Sequence, residues 1–268
     1  GELQMARRLI TVYYDGLCEP RNPKGVATYG FVVYSGEAKI GEGRGLAAEP
    51  WSDGASNNVA EYTALIRALE WLIGHGYEGC DLLVRGDSQL SIRQMQGRYS
   101  VSAPRIIPLY KRARELVSRF GIRRVVFEWV PREENEEADF LSELALKEYW
   151  REYKSEKAAE IRPEEIVHVS GSIFNVRGYK VDAEAETCEC PDYVRTNRNR
   201  RLRVRLPCKH IVALRDYKIG RPESPPSLGE CQSTASAPPS PLSPLSTPHS
   251  TPLPSPHLRP HLKTRGDE

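Results

Sequence analysis

Apolar and polar positions alternate with a period of two over residues 9–15, LITVYYD, a stretch rich in β-branched and aromatic side chains. That pattern predicts a strand ending at Asp15. GLCEPRNPKG is turn chemistry, after which YGFVVYS and residues 38–45 predict two more strands in a meander. The period changes to 3.6 over residues 59–73, VAEYTALIRALEWLI, where two adjoining stripes are largely apolar, so a mostly buried helix is predicted. DLLVRGD (81–87) reads as a strand that again ends in aspartate, and SQLSIRQMQG as the start of a short helix. A helix is predicted over 104–120 with Pro104 in its first turn, a strand over 123–130, and an amphipathic helix over 134–153. Strands followed by helices define an α/β layer architecture with crossover connections.

Past residue 150 the pattern weakens. REYKSEKAAEIR (151–162) is charged and reads as a helix extension or a linker, and 163–220 as a second, small unit. Residues 221–268 hold twelve of the chain's 21 prolines, with serine and threonine, and are expected to be disordered because they cannot bury a core. Across the 268 residues, 39% hydrophobic and 28% charged side chains leave enough apolar material for a globular core in the first two units. The net charge of +2 does not mark the whole chain as nucleic-acid binding, so the distribution of charge matters more than its sum. No apolar run approaches the ~20 residues of a membrane span, and GELQMARRL lacks the apolar stretch of a signal peptide. No membrane partner is therefore expected. The cysteines at 18, 80, 188, 190, 208 and 231 are too few and too clustered for a disulfide framework. They fit metal binding in a reducing, cytoplasmic setting.

The chemistry starts with four carboxylates at element ends. Asp15 and Asp87 close predicted strands, the edge where ligands bind in open α/β sheets. Glu61 lies on an apolar stripe near the start of a predicted helix, and Asp139 early in the last one. A lone ionised carboxylate on a buried face is costly, and each has a structural explanation, helix-dipole stabilisation in the first turn for Glu61. Four together are explained better by divalent cations. Mg²⁺ takes a few carboxylates plus waters and phosphate oxygens, and two such ions ~4 Å apart can clamp the attacking and leaving oxygens of a phosphodiester.

YDG at 14–16, SNNVAEY at 56–62, GDSQL at 86–90 and PREENEEADFLS at 131–142 resemble type I ribonuclease H, over roughly residues 7–150. The resemblance is closest to the archaeal and bacterial short type. It implies a mixed five-stranded sheet flanked by helices, and hydrolysis of the RNA strand of RNA/DNA hybrids with two Mg²⁺ or Mn²⁺ ions. It assigns Asp15, Glu61, Asp87 and Asp139 as metal ligands, with Asp15 bridging the ions, and Asn57, Asn58, Gln89 and Asn135 as substrate contacts. Neutral amides suit a 2′-hydroxyl, which donates and accepts, while Ser56 or Asn57 can also cap the helix. This chain departs from the family twice. VPREEN carries no histidine before the last helix, leaving Arg132 or Glu134 to serve instead. GRYSVSAP (97–104) runs straight on, with no basic protrusion to grip substrate.

CECPDYVRTNRNRRLRVRLPCKH (188–210) supplies Cys188, Cys190, Cys208 and His210, three thiolates and an imidazole, a zinc set by type. Strand-like IVHVSGSIFNVRGYKVD precedes it and helical HIVALRDY follows. The unit, roughly 166–217, resembles a SWIM zinc finger, which implies one structural Zn²⁺. Its spacer holds Arg195, Arg198, Arg200, Arg201, Arg203 and Arg205 (with Lys209) against one acid, Asp192. That charge is a footprint for phosphates, to which Tyr193 could add stacking; a protein-docking face is the alternative. Two other classes compete for the whole chain. One is a non-catalytic nucleic-acid binder on this fold, which would have no need of clustered acids. The other is a DNA-cutting integrase or resolvase, against which the asparagine pair and Gln89 favour RNA.

Overall fold

The computed structural model describes residues 8–198 and 202–220. The Pro/Ser-rich tail, Arg200 and Arg201 lie outside the described residues. The chain folds in the order β1 (Leu9–Glu19), β2 (Val26–Ser35), β3 (Ala38–Leu46), α1 (Asn57–Gly74), β4 (Asp81–Gly86), α2 (Gln89–Met95), α3 (Ile107–Phe120), β5 (Val125–Trp129) and α4 (Glu136–Ala159). Its five strands form one mixed sheet in the order β3-β2-β1-β4-β5. The β1–β2 and β2–β3 pairs are antiparallel, and β1–β4 and β4–β5 parallel.

Two glycines let helices approach the two faces of this sheet. A Cβ on Gly16 would collide with the backbone of Ala60 and Glu61 in α1. A Cβ on Gly30 would collide with Ala138 and Ser142 in α4. Gly30 is the register partner of Asp15, so α4 descends onto the face that Asp15 occupies. The main core lies between the sheet and α1–α3, where Tyr14, Tyr62, Leu65, Leu69, Ile92 and Leu116 are almost wholly buried.

Several boundaries differ from the sequence reading. The strand predicted to stop at Asp15 continues to Glu19, because its ladder with β2 runs on through Glu19–Val26. Only the parallel ladder with β4 stops short, at Tyr13–Arg85. Pro104 lies outside α3, whose first turn holds Pro108 instead. Ile122–Arg124 form a 3₁₀ turn before β5. The segment read as a helix extension or a linker is helical up to Ala159. Amphipathicity did not show this, because Trp150 and Ala158 are buried by residues more than forty positions away in sequence, among them Leu206 and Val212.

Beyond α4 come β6 (Ile166–Ser170), β7 (Ile173–Val176), β8 (Tyr179–Asp182), β9 (Thr187–Cys188), α5 (Pro191–Thr196) and α6 (Lys209–Ile219). The four strands form an antiparallel sheet in sequence order. Its core joins Ile166, Val176 and Val181 to Ile211, Val212 and Leu214 of α6, and to Ala158 and Ile161. Residues 8–220 thus cluster as one compact unit. A separate cluster seals the junction. Val204 and Leu206 pack against Leu17, Val26, Leu146 and Trp150, each burial contributing roughly 1.5–3 kcal/mol, and Trp150 Nε1 donates to the Pro207 carbonyl at 2.9 Å.

Candidate active site and metal centres

The parallel ladder between β1 and β4 ends just before Asp15, and Asp87 follows the last residue of β4, so both carboxylates stand at the same sheet edge. The close approach at Gly16 brings Glu61 to them. Carboxylate oxygens of Asp15, Glu61 and Asp87 lie within 4.8 Å of one another. Glu61 is the fifth residue of α1, not a first-turn residue, so the helix dipole does not account for it. It is buried, and its Oε2 has no hydrogen-bond partner. An orphaned carboxylate oxygen facing two other acids is the environment a divalent cation would satisfy.

Burial, with Asp15 and Asp87 adding, pushes the Glu61 carboxyl well above its ordinary range. Burial likewise raises Asp15 to about 6, against the lowering pull of Arg203 and Ser142. The fold therefore holds Asp15's proton more tightly than the unfolded chain does. That contribution to stability is complete below the ordinary value near 3.8 and is lost as pH rises through about 6. A divalent cation should restore it. The rise in melting temperature on adding Mg²⁺ is expected to grow between about pH 5 and about pH 7. A Mg²⁺-induced shift that is flat across that range would contradict the site.

Asp139 is not part of the three-carboxylate group. Its oxygens accept from Arg132 Nη2 at 2.8 and 3.0 Å, and one lies 3.2 Å from Arg203 Nη1. Arg132, considered as a replacement for the missing histidine, is thus an ion-pair partner of Asp139, with Glu143 at 3.5 Å. Asn57 and Asn58 begin α1 and are exposed, while Ser56 is the cap, its Oγ accepting from Val59 N at 3.3 Å. Gln89 begins α2 and is also exposed. Asn135, read as a substrate contact, is 1% exposed. Its Nδ2 donates to the Tyr14 carbonyl at 2.9 Å and to Asp87 Oδ1 at 3.2 Å, fastening the start of α4 to the sheet edge.

The sequence reading missed two partners of Asp15. Ser142 donates to Asp15 Oδ2 from one turn beyond Asp139, a placement that the spacing in DFLS could have indicated. Arg203, assigned to an exposed phosphate patch, turns inward. Its Nη1 and Nη2 donate to Asp15 Oδ2 and Oδ1 at 2.8 and 3.2 Å. Burial works against its charge, but Asp15, Asp139 and Asp87 outweigh this and hold it protonated. It turns inward because Val204 and Leu206 enter the junction core and Arg203 N donates to Glu19 Oε1 at 2.6 Å. Of the other described arginines, Arg195 pairs with Asp192 at 3.4 Å, Arg205 donates to the Asn197 carbonyl, and both are exposed, as is Arg198. Arg195 and Arg198 line a cavity of about 690 Å³ with Arg21, Trp51 and Tyr153. Arg21 also borders the cleft of about 730 Å³ that contains Glu61, Asn57 and Arg203.

The second cluster is Cys188, Cys190, Cys208 and His210, all buried, with ligand atoms within 4.8 Å of one another. The Cys188 and Cys208 sulfurs lie 3.8 and 3.7 Å from His210 Nδ1. Thiolates at ~2.3 Å and an imidazole at ~2.0 Å around a tetrahedral ion sit roughly 3.5–3.8 Å apart, so the set fits zinc. The fold prepares it. Cys188 ends β9, Cys190 caps α5, and Cys208 caps α6, whose second residue is His210. Backbone amides of Cys190 and Tyr193 donate to the Cys188 and Cys190 sulfurs at 3.4 Å. The hydrogen bond between Cys188 and Cys208 lowers the Cys208 thiol and raises that of Cys188, so the two sulfurs share a proton that a cation would displace.

Residues 14–145 match the family described as "Reverse transcriptase-like". The Bifunctional protein Rv2228c of Mycobacterium tuberculosis is 39% identical over 127 residues, covering 47% of this chain and 33% of that protein. Ribonuclease HI of Halobacterium salinarum is 38% identical over 138 residues, covering 51% of this chain and 64% of that protein. This chain therefore spans a third of the mycobacterial relative and under two thirds of the halobacterial one. The crystal structure of RNase H1 from Halobacterium salinarum has 37% identity, covers 52% of this chain and 98% of its own, and superposes with a TM-score of 0.47. Residues 14–145, with their mixed five-stranded sheet, form a ribonuclease H-like domain. Its relatives include a ribonuclease HI.

Proposed function

We propose that this protein is a divalent-metal-dependent endonuclease that hydrolyses the RNA strand of RNA/DNA hybrids. The observation that carries this reading is the convergence of Asp15, Glu61 and Asp87 at the sheet edge around an unpartnered Glu61 oxygen, with Asp139 one guanidinium away. The name of the halobacterial relative agrees with it. Asp15, Glu61, Asp87 and Asp139 would hold two Mg²⁺ or Mn²⁺ ions, which supply an activated water and stabilise the leaving 3′ oxygen. Ser142 orients Asp15, and Asn135 orients Asp87. Asn57, which lines the cleft, stands exposed with Asn58 and Gln89 at two helix starts, where their amides can read the 2′-hydroxyl that marks RNA. Purified protein with Mg²⁺ or Mn²⁺ should cut the RNA strand of an RNA/DNA duplex and spare matched RNA/RNA and DNA/DNA. Equal cutting of DNA/DNA would point to an integrase-like enzyme, and cutting of none to a binder.

The Cys₃His set would hold one structural Zn²⁺ in a SWIM-type finger, and its exposed arginines would grip nucleic-acid backbone. The cavity carrying Arg195 and Arg198 adjoins the catalytic cleft through Arg21, so a duplex in the cleft can meet both. An Arg195→Ala/Arg198→Ala variant should raise KM with kcat little changed, the signature of lost uniform binding. The slope of log affinity against log salt should flatten by ~0.9 for each phosphate that is no longer neutralised. If KM and slope both stay at wild-type values, the finger's exposed face serves protein docking instead. The free, unpaired state of Cys18, Cys80 and the cluster thiols fits the reducing cytoplasm we propose as its location. Among the described residues no helix is long and apolar enough to cross a membrane.

A further inference from the structure

The zinc unit does more than lie beside the carboxylates: it places a cation among them. Arg203 forks onto both oxygens of Asp15, and its Nη1 also reaches Asp139 Oδ1 at 3.2 Å. Its side chain is 19% exposed and that of Asp15 is fully buried. We propose that Arg203 is a tethered cation that closes the Asp15–Asp139 half of the site and must withdraw before a divalent metal binds there. The proposal rests on the metal reading of the carboxylates given above.

Three features make this ion pair a built one. Glu19 accepts the Arg203 backbone amide at 2.6 Å, so the residue is held at its main chain as well as its side chain. Val204 and Leu206 anchor the following residues in the junction core. Asn197 braces the loop base, its Oδ1 accepting from Leu206 N at 2.8 Å and its Nδ2 donating to the Leu206 and Tyr193 carbonyls. Cys208 lies two residues past Leu206, so the zinc cluster fixes the strap that carries Arg203.

The charge balance explains how such a closure can be reversed. One guanidinium neutralises a single charge among four carboxylates, and Arg132 offsets a second at Asp139. A divalent ion held by Asp15 would supply more charge in less space. Arg203 gives up two charge-assisted hydrogen bonds when it leaves, and a phosphate brought to the cleft offers a planar fork the same two bonds. Nucleic acid would thus favour opening twice, by partnering the released arginine and by supplying oxygens to the metal.

The test is Mn²⁺ binding by the zinc-loaded full chain without nucleic acid, read from the electron paramagnetic resonance signal of free Mn²⁺. Arg203→Met should tighten Mn²⁺ binding roughly tenfold or more, the equilibrium equivalent of one charge-assisted hydrogen bond. Glu19→Gln should act in the same direction by weakening the strap, because a neutral amide oxygen accepts the Arg203 backbone amide less strongly than a carboxylate does. It removes a negative charge, which by itself would weaken cation binding, and it carries the test if the Met variant does not fold. Arg205→Ala, on the same strap but with its guanidinium on the Asn197 carbonyl and not on a carboxylate, should leave the affinity unchanged, and Asp87→Asn should lower it. Wild-type or weaker affinity in both Arg203→Met and Glu19→Gln, with Asp87→Asn weakened, overturns the closure alone. An equal gain in Arg205→Ala overturns it too, since diffuse charge would then suffice. An unchanged Asp87→Asn removes the metal reading, and the closure with it.

Discussion

Asp15→Asn should reduce metal-dependent cleavage of an RNA/DNA hybrid by at least ~10²–10³-fold, the range seen when one electrostatic stabiliser is removed from an active site. The loss should fall on kcat while hybrid affinity stays near wild type, because Asn57, Asn58, Gln89 and the finger arginines are untouched. Asparagine is isosteric and still offers Ser142 an oxygen to donate to, so the sheet edge should keep its shape. It also ends the ion pair with Arg203, which makes the variant informative in a second way. If Asp15 served only to hold Arg203, the substitution would free the site and turnover would persist or rise. Single-turnover cleavage together with hybrid binding separates these outcomes. Near wild-type turnover would exclude the metal role assigned to Asp15.

Removing the proposed zinc ligands should have the largest structural effect. Structural zinc contributes an apparent ~10–16 kcal/mol in small finger peptides, more than most domains have in total stability. A Cys188→Ser/Cys208→Ser variant should lose its one zinc and become protease-sensitive across residues 163–220. The effect should spread further than a tethered finger would allow. Ala158 and Ile161 would lose their cover, and so would Trp150 and Leu146 once Val204 and Leu206 withdraw, so cleavage should reach the last turns of α4. The larger core of α1–α3 against the sheet is complete without these residues and should remain resistant. Elemental analysis of freshly purified protein and limited proteolysis decide it. Finding no zinc in the wild type, or equal resistance in the variant, would sink the assignment.

The sequence by itself determined the elements and picked out the candidate ligand residues. Period-two and period-3.6 patterns located the strands and helices of the larger domain, because each buries an apolar face, α1–α3 against the main core and α4 on the other side of the sheet. The four acids and the Cys₃His set were legible because each sits in a short, distinctive local context. Boundaries were less legible where a ladder or a partner decided them. β1 outruns Asp15 because β2 continues to pair with it, and α4 outruns its predicted end because the second unit covers Trp150 and Ala158. Two side chains also stand elsewhere than the sequence reading set them. The resemblance makes Asn135 a substrate contact, and the structure buries it as a tie between α4 and the sheet edge, on Asp87. Arg203 is one arginine among many in its stretch, and nothing in its neighbours distinguishes it from Arg205. Only the tertiary structure turns it inward, because Val204 and Leu206 must bury beside Trp150 and Glu19 takes its amide. An ion pair between residues 15 and 203 depends on two backbones meeting across the whole domain, which no local periodicity encodes.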